Sequence, residues 1–319
     1  MNILFRADSS STIGTGHIMR DLVLAKQYPD NNIIFATQDL SGNIKHNISE
    51  AGYKLEILNS HDLEELDELI KKLSIDMIII DHYDIDWKYE KQLSILNSQL
   101  SIKVLDDTYE RHECDVLLNH NIYADKIKYK GLVPEKCELK CGINFTLLRD
   151  EFLNLELSKK SLSNGKFNVF IAMGGADSKN MNITILKSLK DSNINISLVT
   201  TNANKNLSEL KDYVQNFKNI RLYIDAKNIA SIISTCDIAI VTPSVMVNEI
   251  IFFKIPFISI MVTNNQKYMY EFLAKSGLPC LKKDDLLTLC KEVESLYDRQ
   301  TYNNNVDVIS NIVSKRMIL

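Results

Sequence analysis

No cysteine pair in this chain of 319 residues has the Cys-x-x-Cys spacing of a metal or redox centre, and six cysteines spread over that length make no disulfide framework. His112-Glu113-Cys114 offers half of a tetrahedral metal site, and the second half is missing. Basic residues form no run that reads as a nucleic-acid arm or a polybasic membrane patch, and a net charge of -4 provides no global positive field for nucleic acid. No apolar run approaches the length needed to cross a bilayer. Met1-Asn2-Ile3-Leu4-Phe5 leads straight into a strand pattern, so no signal peptide and a cytoplasmic location are expected.

What is there is the balance of a folded protein, 45% hydrophobic and 24% charged, with length enough for two domains. Short apolar runs alternate with amphipathic stretches, the pattern of βαβ units. Strands are predicted at 3–5, 33–35, 55–57, 77–80, 102–105 and 116–118. Runs this uniformly apolar are buried on both faces, between layers of helices. A small, polar stretch at 155–166 reads as a linker. The pattern then restarts at Phe167-Asn168-Val169-Phe170-Ile171, with further strands at 196–199, 220–222, 238–241 and 257–260. Each half opens with a strand, a glycine loop and a helix. The fold class is therefore α/β, with two Rossmann-like domains, 1–154 and 167–319, facing a cleft. The stretch from about 283 to 316 reads as two helices, one of them able to pack back across the first domain.

The first loop ends Ile13-Gly14-Thr15-Gly16-His17 and runs into a helical stretch from Ile18 to Gln27. Gly14 and Gly16 permit conformations and close approaches that a side chain blocks, and a helix start offers N–H groups to an anion. Asp21 and Leu22 stand where a dinucleotide fingerprint wants its third glycine, and no Lys-Ser/Thr pair completes a P-loop, so a nicotinamide enzyme and a P-loop kinase are disfavoured. A histidine remains at the mouth of the sheet. As a lone residue it is equally a packing histidine; at a helix start, where the charged imidazolium is disfavoured, it suits a general base. Asp8 either orients that ring or caps the loop. All six histidines lie within the first 120 residues, which assigns any histidine chemistry to the first half.

Other motifs compete with plainer readings. Met173-Gly174-Gly175 follows a strand and precedes a helix, as a second anion-binding turn or simply a tight turn, with Ser178 as the expected cap. Ser244, Asn248 and Glu249 open a helix after the strand at 238–241, and Glu249 suits a pair of ribose hydroxyls. Gln266 is a weaker candidate for sugar or phosphate. Asp84-x-Asp86 matches the divalent-ion pattern of metal-dependent glycosyltransferases, but Asp86 is better placed as the N-cap of 87–97. Tyr83, at a strand end, is the better site candidate of that stretch. Arg149 either reaches the cleft or forms a structural salt bridge, and Asp106-Asp107 reads as turn chemistry.

The stretch from Phe5-Arg6-Ala7-Asp8 through Gly14, Gly16, His17 and Arg20-Asp21-Leu22 resembles the opening of the pseudaminic acid pathway hydrolases, which cleave UDP-2,4-diacetamido-2,4,6-trideoxy-β-L-altropyranose. Ile80-Asp81-His82-Tyr83, Gly131-Leu132-Val133-Pro134, Leu148-Arg149-Asp150-Glu151-Phe152, Met173-Gly174-Gly175 and Val247-Asn248-Glu249 match the same family in order, from residue 1 to about 280. The resemblance implies a glycosyltransferase-B-like fold and inverting hydrolysis with no metal or cofactor. It maps the family's base onto His17 and favours nucleotide contacts by Gly174, Gly175, Ser244, Asn248 and Glu249.

UDP is a good leaving group, so one base for water, with backbone donors and the arginines Arg20 and Arg149 for the diphosphate, meets the chemical need without paired carboxylates. The expected partners are a UDP-sugar and water, with no nucleic acid or membrane, and the oligomeric state is left open. A UDP-sugar glycosyltransferase of the same fold and a non-catalytic sugar-nucleotide binding protein are the rivals.

Overall fold

The computed structural model describes residues 1–155 and 166–315. The chain divides into two compact units, Met1–Leu147 and Leu148–Leu319. The stretch expected as a linker lies outside the described residues except at its two ends.

The first unit runs β1 (Asn2–Ala7), α1 (Gly16–Ala25), β2 (Asn32–Gln38), α2 (His46–Glu50), β3 (Lys54–Leu58), α3 (Leu63–Leu73), β4 (Met77–Asp81), α4 (Trp87–Leu96), β5 (Ser101–Leu105), β6 (Val116–Asn119) and β7 (Glu138–Cys141). Its strands form one sheet in the order β3-β2-β1-β4-β5-β6-β7, every pair parallel. Alternate residues of each strand serve opposite faces: Ile3 and Phe5 of β1 join Phe35 and Ile79 in one core, while Leu4 joins Ile34, Ile78 and Ile80 in the other. That is why the runs are apolar without alternation. Each such side chain removed from water contributes roughly 1.5–3 kcal/mol.

The second unit runs α5 (Asp150–Leu153), β8 (Phe167–Ala172), α6 (Met181–Ser188), β9 (Ile194–Thr200), α7 (Leu207–Val214), β10 (Ile220–Ile224), α8 (Ile229–Ser234), β11 (Ile238–Val241), α9 (Val245–Ile250), β12 (Phe257–Met261), α10 (Lys267–Lys275), β13 (Cys280–Lys282), α11 (Leu289–Ser295) and α12 (Arg299–Val313). Its parallel sheet repeats the first pattern, β10-β9-β8-β11-β12-β13. The last two helices pack on this second unit. The Tyr297 ring, just after α11, stacks on Phe167 at 4.3 Å, and the Tyr302 hydroxyl of α12 donates to the Asp237 carbonyl at 3.3 Å. No helix among the described residues is long and apolar enough to cross a membrane.

In both sheets the chain leaves the first strand toward one side and returns to form the fourth on the other, so β1/β4 and β8/β11 are topological switch points. Crevices at the carboxyl ends of such strand pairs are where open parallel sheets bind ligands.

Candidate active site

The loop after β1 folds back on itself before α1 begins. Ser10 N–H donates to the Gly14 carbonyl at 3.2 Å, Gly14 N–H donates back at 2.8 Å, and Ser10 Oγ accepts from Ile13 N–H at 2.9 Å. Gly14 takes φ +93°, a region open to glycine and strained for other residues. A Cβ on exposed Gly16 would meet nothing within 4 Å. Its smallness therefore serves no packing of the chain itself. Thr15 places no side-chain cap on α1, so the helix start keeps N–H groups for other acceptors.

His17 is the second residue of α1 and is buried. Its Nδ1 lies 2.6 Å from Oδ1 of Asp81, the last residue of β4 across the β1/β4 switch point. Asp81 can only accept, so Nδ1 carries the hydrogen and Nε2 presents a lone pair. Nε2 has no hydrogen-bond partner among the described residues. Arg20, one turn along α1, donates through Nε to Asp81 at 2.5 Å, through Nη2 to the same carboxylate, and through Nη1 to Asp107 at 2.9 Å. Burial pushes the Asp81 carboxyl upward, but the Arg20 charge and the hydrogen bonds from Arg20 and His17 outweigh it and hold Asp81 well below the usual carboxylate range. Tyr83 continues the chain: its hydroxyl donates to Asp107 at 3.0 Å, and its ring meets the His17 ring edge-on at 4.8 Å. Tyr83 is 49% exposed, so this end of the network opens to solvent.

Asp8 does not orient His17. Its carboxylate takes a bidentate pair from Arg6 at 2.8 and 3.0 Å, the Gln38 N–H at 2.7 Å and His82 Nε2 at 2.9 Å. Burial would raise Asp8, yet the hydrogen bonds from His82 and Arg6 keep it far below its ordinary value. Asp8, His61 and His82 bring possible ligand atoms within 4.8 Å of one another. Arg6 supplies the positive charge of that group, donating to His61 Nδ1 at 3.0 Å as well as to Asp8. His82 is engaged on both nitrogens, with Nδ1 accepting from Asp84 N–H at 3.1 Å. Asp8 and both nitrogens of His82 are thus hydrogen-bonded and Arg6 supplies a positive charge beside them, while His61 is exposed. Asp86 is the N-cap of α4, accepting from Lys88 and Tyr89 N–H at 3.0 Å each, in keeping with the capping reading of Asp84-x-Asp86.

Asp106 is turn chemistry, accepting from Thr108 and Tyr109 N–H at 2.9 and 2.8 Å. Asp107 is not, because it joins Arg20 to Tyr83. Asp81, present in the sequence reading only within a matched motif, and Asp107, expected there as turn chemistry, both join this network. A charged residue closing an otherwise apolar strand was the available signal for Asp81.

In the second unit, Gly174 after β8 takes φ +82° and is open to solvent, while the Gly175 carbonyl accepts from Thr200 and Thr201 hydroxyls at 3.0 Å. Asn180 takes the N-cap position of α6, and Asp177, not Ser178, supplies the side-chain acceptor for its first N–H groups. The Asp177 carboxylate accepts from Met181 and Asn182 N–H at 2.8 and 3.0 Å, and burial, opposed by these bonds, raises it to about 6. At the neighbouring switch-point strand, Ser244 Oγ meets Thr242 Oγ1 at 3.0 Å, and Asn248 and Glu249 of α9 are buried. Both Glu249 oxygens are taken by Arg149, Nε at 2.6 Å and Nη2 at 2.8 Å. Arg149 also reaches Glu151 at 2.7 Å, and Glu151 accepts from Ala230 N–H at 3.0 Å. Arg149 and Glu249 are therefore each other's partners. Gln266 Oε1 accepts from Val262 N–H at 2.8 Å, closing the turn ahead of α10.

No protein-family model matches the chain. A UDP-2,4-diacetamido-2,4,6-trideoxy-β-L-altropyranose hydrolase of Campylobacter jejuni is 42% identical over 277 residues, 87% of this chain and 97% of that protein. The chain belongs to this hydrolase family. An uncharacterised protein of Methanocaldococcus jannaschii is 27% identical over 283 residues, 85% of this chain and 58% of that protein. Among solved structures, MurG of Acinetobacter baumannii superposes with a TM-score of 0.64 at 11% identity, covering 99% of this chain and 95% of that one. The spinosyn rhamnosyltransferase SpnG gives 0.65 at 11% identity, covering 99% and 96%. These likenesses show the fold: two parallel-sheet α/β domains of the glycosyltransferase-B kind, in a family of hydrolases.

Proposed function

We propose that the chain hydrolyses UDP-2,4-diacetamido-2,4,6-trideoxy-β-L-altropyranose to free sugar and UDP, with inversion and without a metal, as a step of pseudaminic acid biosynthesis. The observation that carries this is the His17–Asp81 pair at the β1/β4 switch point, with Nδ1 tied down and Nε2 without a protein partner. Membership of the hydrolase family supports the UDP-sugar substrate.

In this reading a water donates its hydrogen to Nε2 of His17 as its oxygen attacks the anomeric carbon. The C–O bond to UDP breaks on the opposite face, and the diphosphate leaves with the bonding pair. Asp81 holds the imidazole in the tautomer that can accept and stabilises the imidazolium that results. Arg20, with its donors spent on Asp81 and Asp107, positions Asp81 rather than binding phosphate. Tyr83, exposed and against the His17 ring, is assigned to the water or a sugar substituent. The turn at Gly174-Gly175 and the start of α9 at Ser244 are assigned to the nucleotide, with the Arg149–Glu249 pair bracing α9. Nothing in this scheme needs a second carboxylate to protonate the leaving group.

The deciding experiment incubates the UDP-sugar in ¹⁸O-water with no acceptor present. We expect UDP release with one labelled oxygen in the sugar and none in the phosphate. His17→Ala should lower turnover about 10²–10⁴-fold with UDP affinity retained. Turnover that depends on an added acceptor would instead identify a glycosyltransferase, and full activity in His17→Ala would sink the assignment of the base.

A further inference from the structure

Asp21 follows Arg20 on α1 and is wholly buried, and neither carboxyl oxygen meets a hydrogen-bond donor. The group it faces is the Asp81 carboxyl, and the guanidinium between α1 and β4 is spent elsewhere, on Asp81 and Asp107. Two adjacent carboxylates away from water, with no donor for one of them, cannot both stay ionised. Asp81 keeps its charge, because Arg20 and His17 hydrogen-bond to it. The proton therefore belongs to the other member of the pair.

We propose that Asp21 is a neutral carboxylic acid whose hydroxyl donates to Asp81, making it a positioning residue that limits how strongly Asp81 holds a proton on His17. The proposal rests on the reading of His17 as the base. Burial, reinforced by the Asp81 charge and opposed by Arg20, raises the Asp21 carboxyl well above its ordinary value. His120, which follows β6, is 1% exposed with both ring nitrogens unpartnered and feels the charges of Arg20 and Asp81. Burial and the Arg20 charge, against Asp81, bring His120 down to about 3, so it adds no charge. Tyr83 and Asp107 lie beyond Arg20.

The consequence is kinetic. A base must take a proton from water in one step and lose it before the next. A bare Asp81 would hold the imidazolium more tightly; the Asp21 hydroxyl draws off part of that negative charge. Removing the donor makes Asp81 more basic, keeps His17 protonated to higher pH, and moves the acid limb of the pH–rate profile upward.

The test has two readouts on the whole protein. With ¹³C-labelled aspartate carboxyls, the Asp21 resonance, assigned by its loss in Asp21→Asn, should be that of a protonated acid at neutral pH. In the rate profile, Asp21→Asn, which still donates and carries no charge, should leave the acid limb within about half a unit of wild type, and Asp21→Leu should raise it by about one unit. A carboxylate resonance for Asp21 at neutral pH, or an acid limb that falls in Asp21→Asn because a negative charge has been removed, overturns the proposal. Should Asp21→Leu fail to fold, the carboxyl resonance and Asp21→Asn still decide. The resonance does not depend on catalysis, so active His17→Ala would remove the base assignment and leave the Asp21 result standing, while an ionised Asp21 beside an inactive His17→Ala would do the reverse.

Discussion

The two sheets share one strand order and one local plan, a strand, a glycine turn and a helix at the switch point, yet their carboxyl ends are furnished differently. At β1/β4 the side chains are densely ionic: His17, Arg20 and Asp81 form one cluster, and Arg6, Asp8 and His82 another, nearly all of it buried. At β8/β11 the corresponding loops carry glycines and small hydroxyl residues, and the charged group there is a small network in which Arg149 holds Glu249 and Glu151. The same backbone scaffold thus carries a buried network of charges at one switch point and open turns of small residues at the other. Buried, hydrogen-bonded charges hold a base in one tautomer and one orientation; open glycine turns suit a ligand that brings its own charge.

If this division is right, damage to the first end is seen in turnover and damage to the second in stability and nucleotide affinity. The largest effect is expected for Asp81→Asn. The amide can hold His17 in the wrong tautomer, and kcat should fall about 10²–10⁴-fold with little change in KM. Steady-state kinetics check this, and a variant that lost only affinity would erase the contrast between the two ends. Next is Arg149→Met, which strands the buried Glu249 carboxylate. The second unit should lose about 3 kcal/mol in denaturant unfolding, and UDP should bind more weakly, while kcat at saturation stays close to wild type. A collapse of kcat with unchanged stability would move Arg149 into the chemistry.

The smallest effect sharpens the comparison inside the first unit, away from the switch point. His112 donates to Glu90 at 2.7 Å and lies near Asp106. Burial lowers its affinity for a proton, but the nearby Asp106 carboxylate and the bonded Glu90 carboxylate prevail and raise it to about 9 from its ordinary 6.5. The stability this provides is present in full below about pH 6.5 and is lost as pH rises through about 9. Between those limits it amounts to at most about 3 kcal/mol. Thermal unfolding of wild type and His112→Gln should converge as pH rises across that window. A gap that stays constant with pH would show the imidazole to be a packing group.

Eleven of the thirteen strands, β1–β6 and β8–β12, coincide with the predicted runs; nine of them lie inside a sheet, where a strand buried on both faces must be apolar, and β3 and β10 are edges. The two unforeseen strands, β7 and β13, are sheet edges with the polar or short sequences Glu-Leu-Lys-Cys and Cys-Leu-Lys. β3 and β10 are edges too but keep an apolar alternation, Leu55 and Ile57 or Ile220 and Leu222, whereas β7 and β13 are too short and polar to leave one. The helix starting beside Gly16, the place of His17 in its first turn and the capping role of Asp86 were also legible, since each depends on neighbours within a few residues.

By itself, then, the sequence determined the two-sheet architecture, the glycine turn and the histidine that follows it, because hydrophobic period and local turn chemistry are written along the chain. Tertiary structure alone decided which carboxylate serves that histidine. Asp8, near in sequence, is bound to Arg6 and His82, and Asp81, 64 residues away, reaches Nδ1 because β4 lies beside β1. The same pairing brought Arg20 and Asp107 into one network and left Asp21 buried without a donor. Such contacts depend on the order of strands in the sheet, which no spacing along the chain encodes.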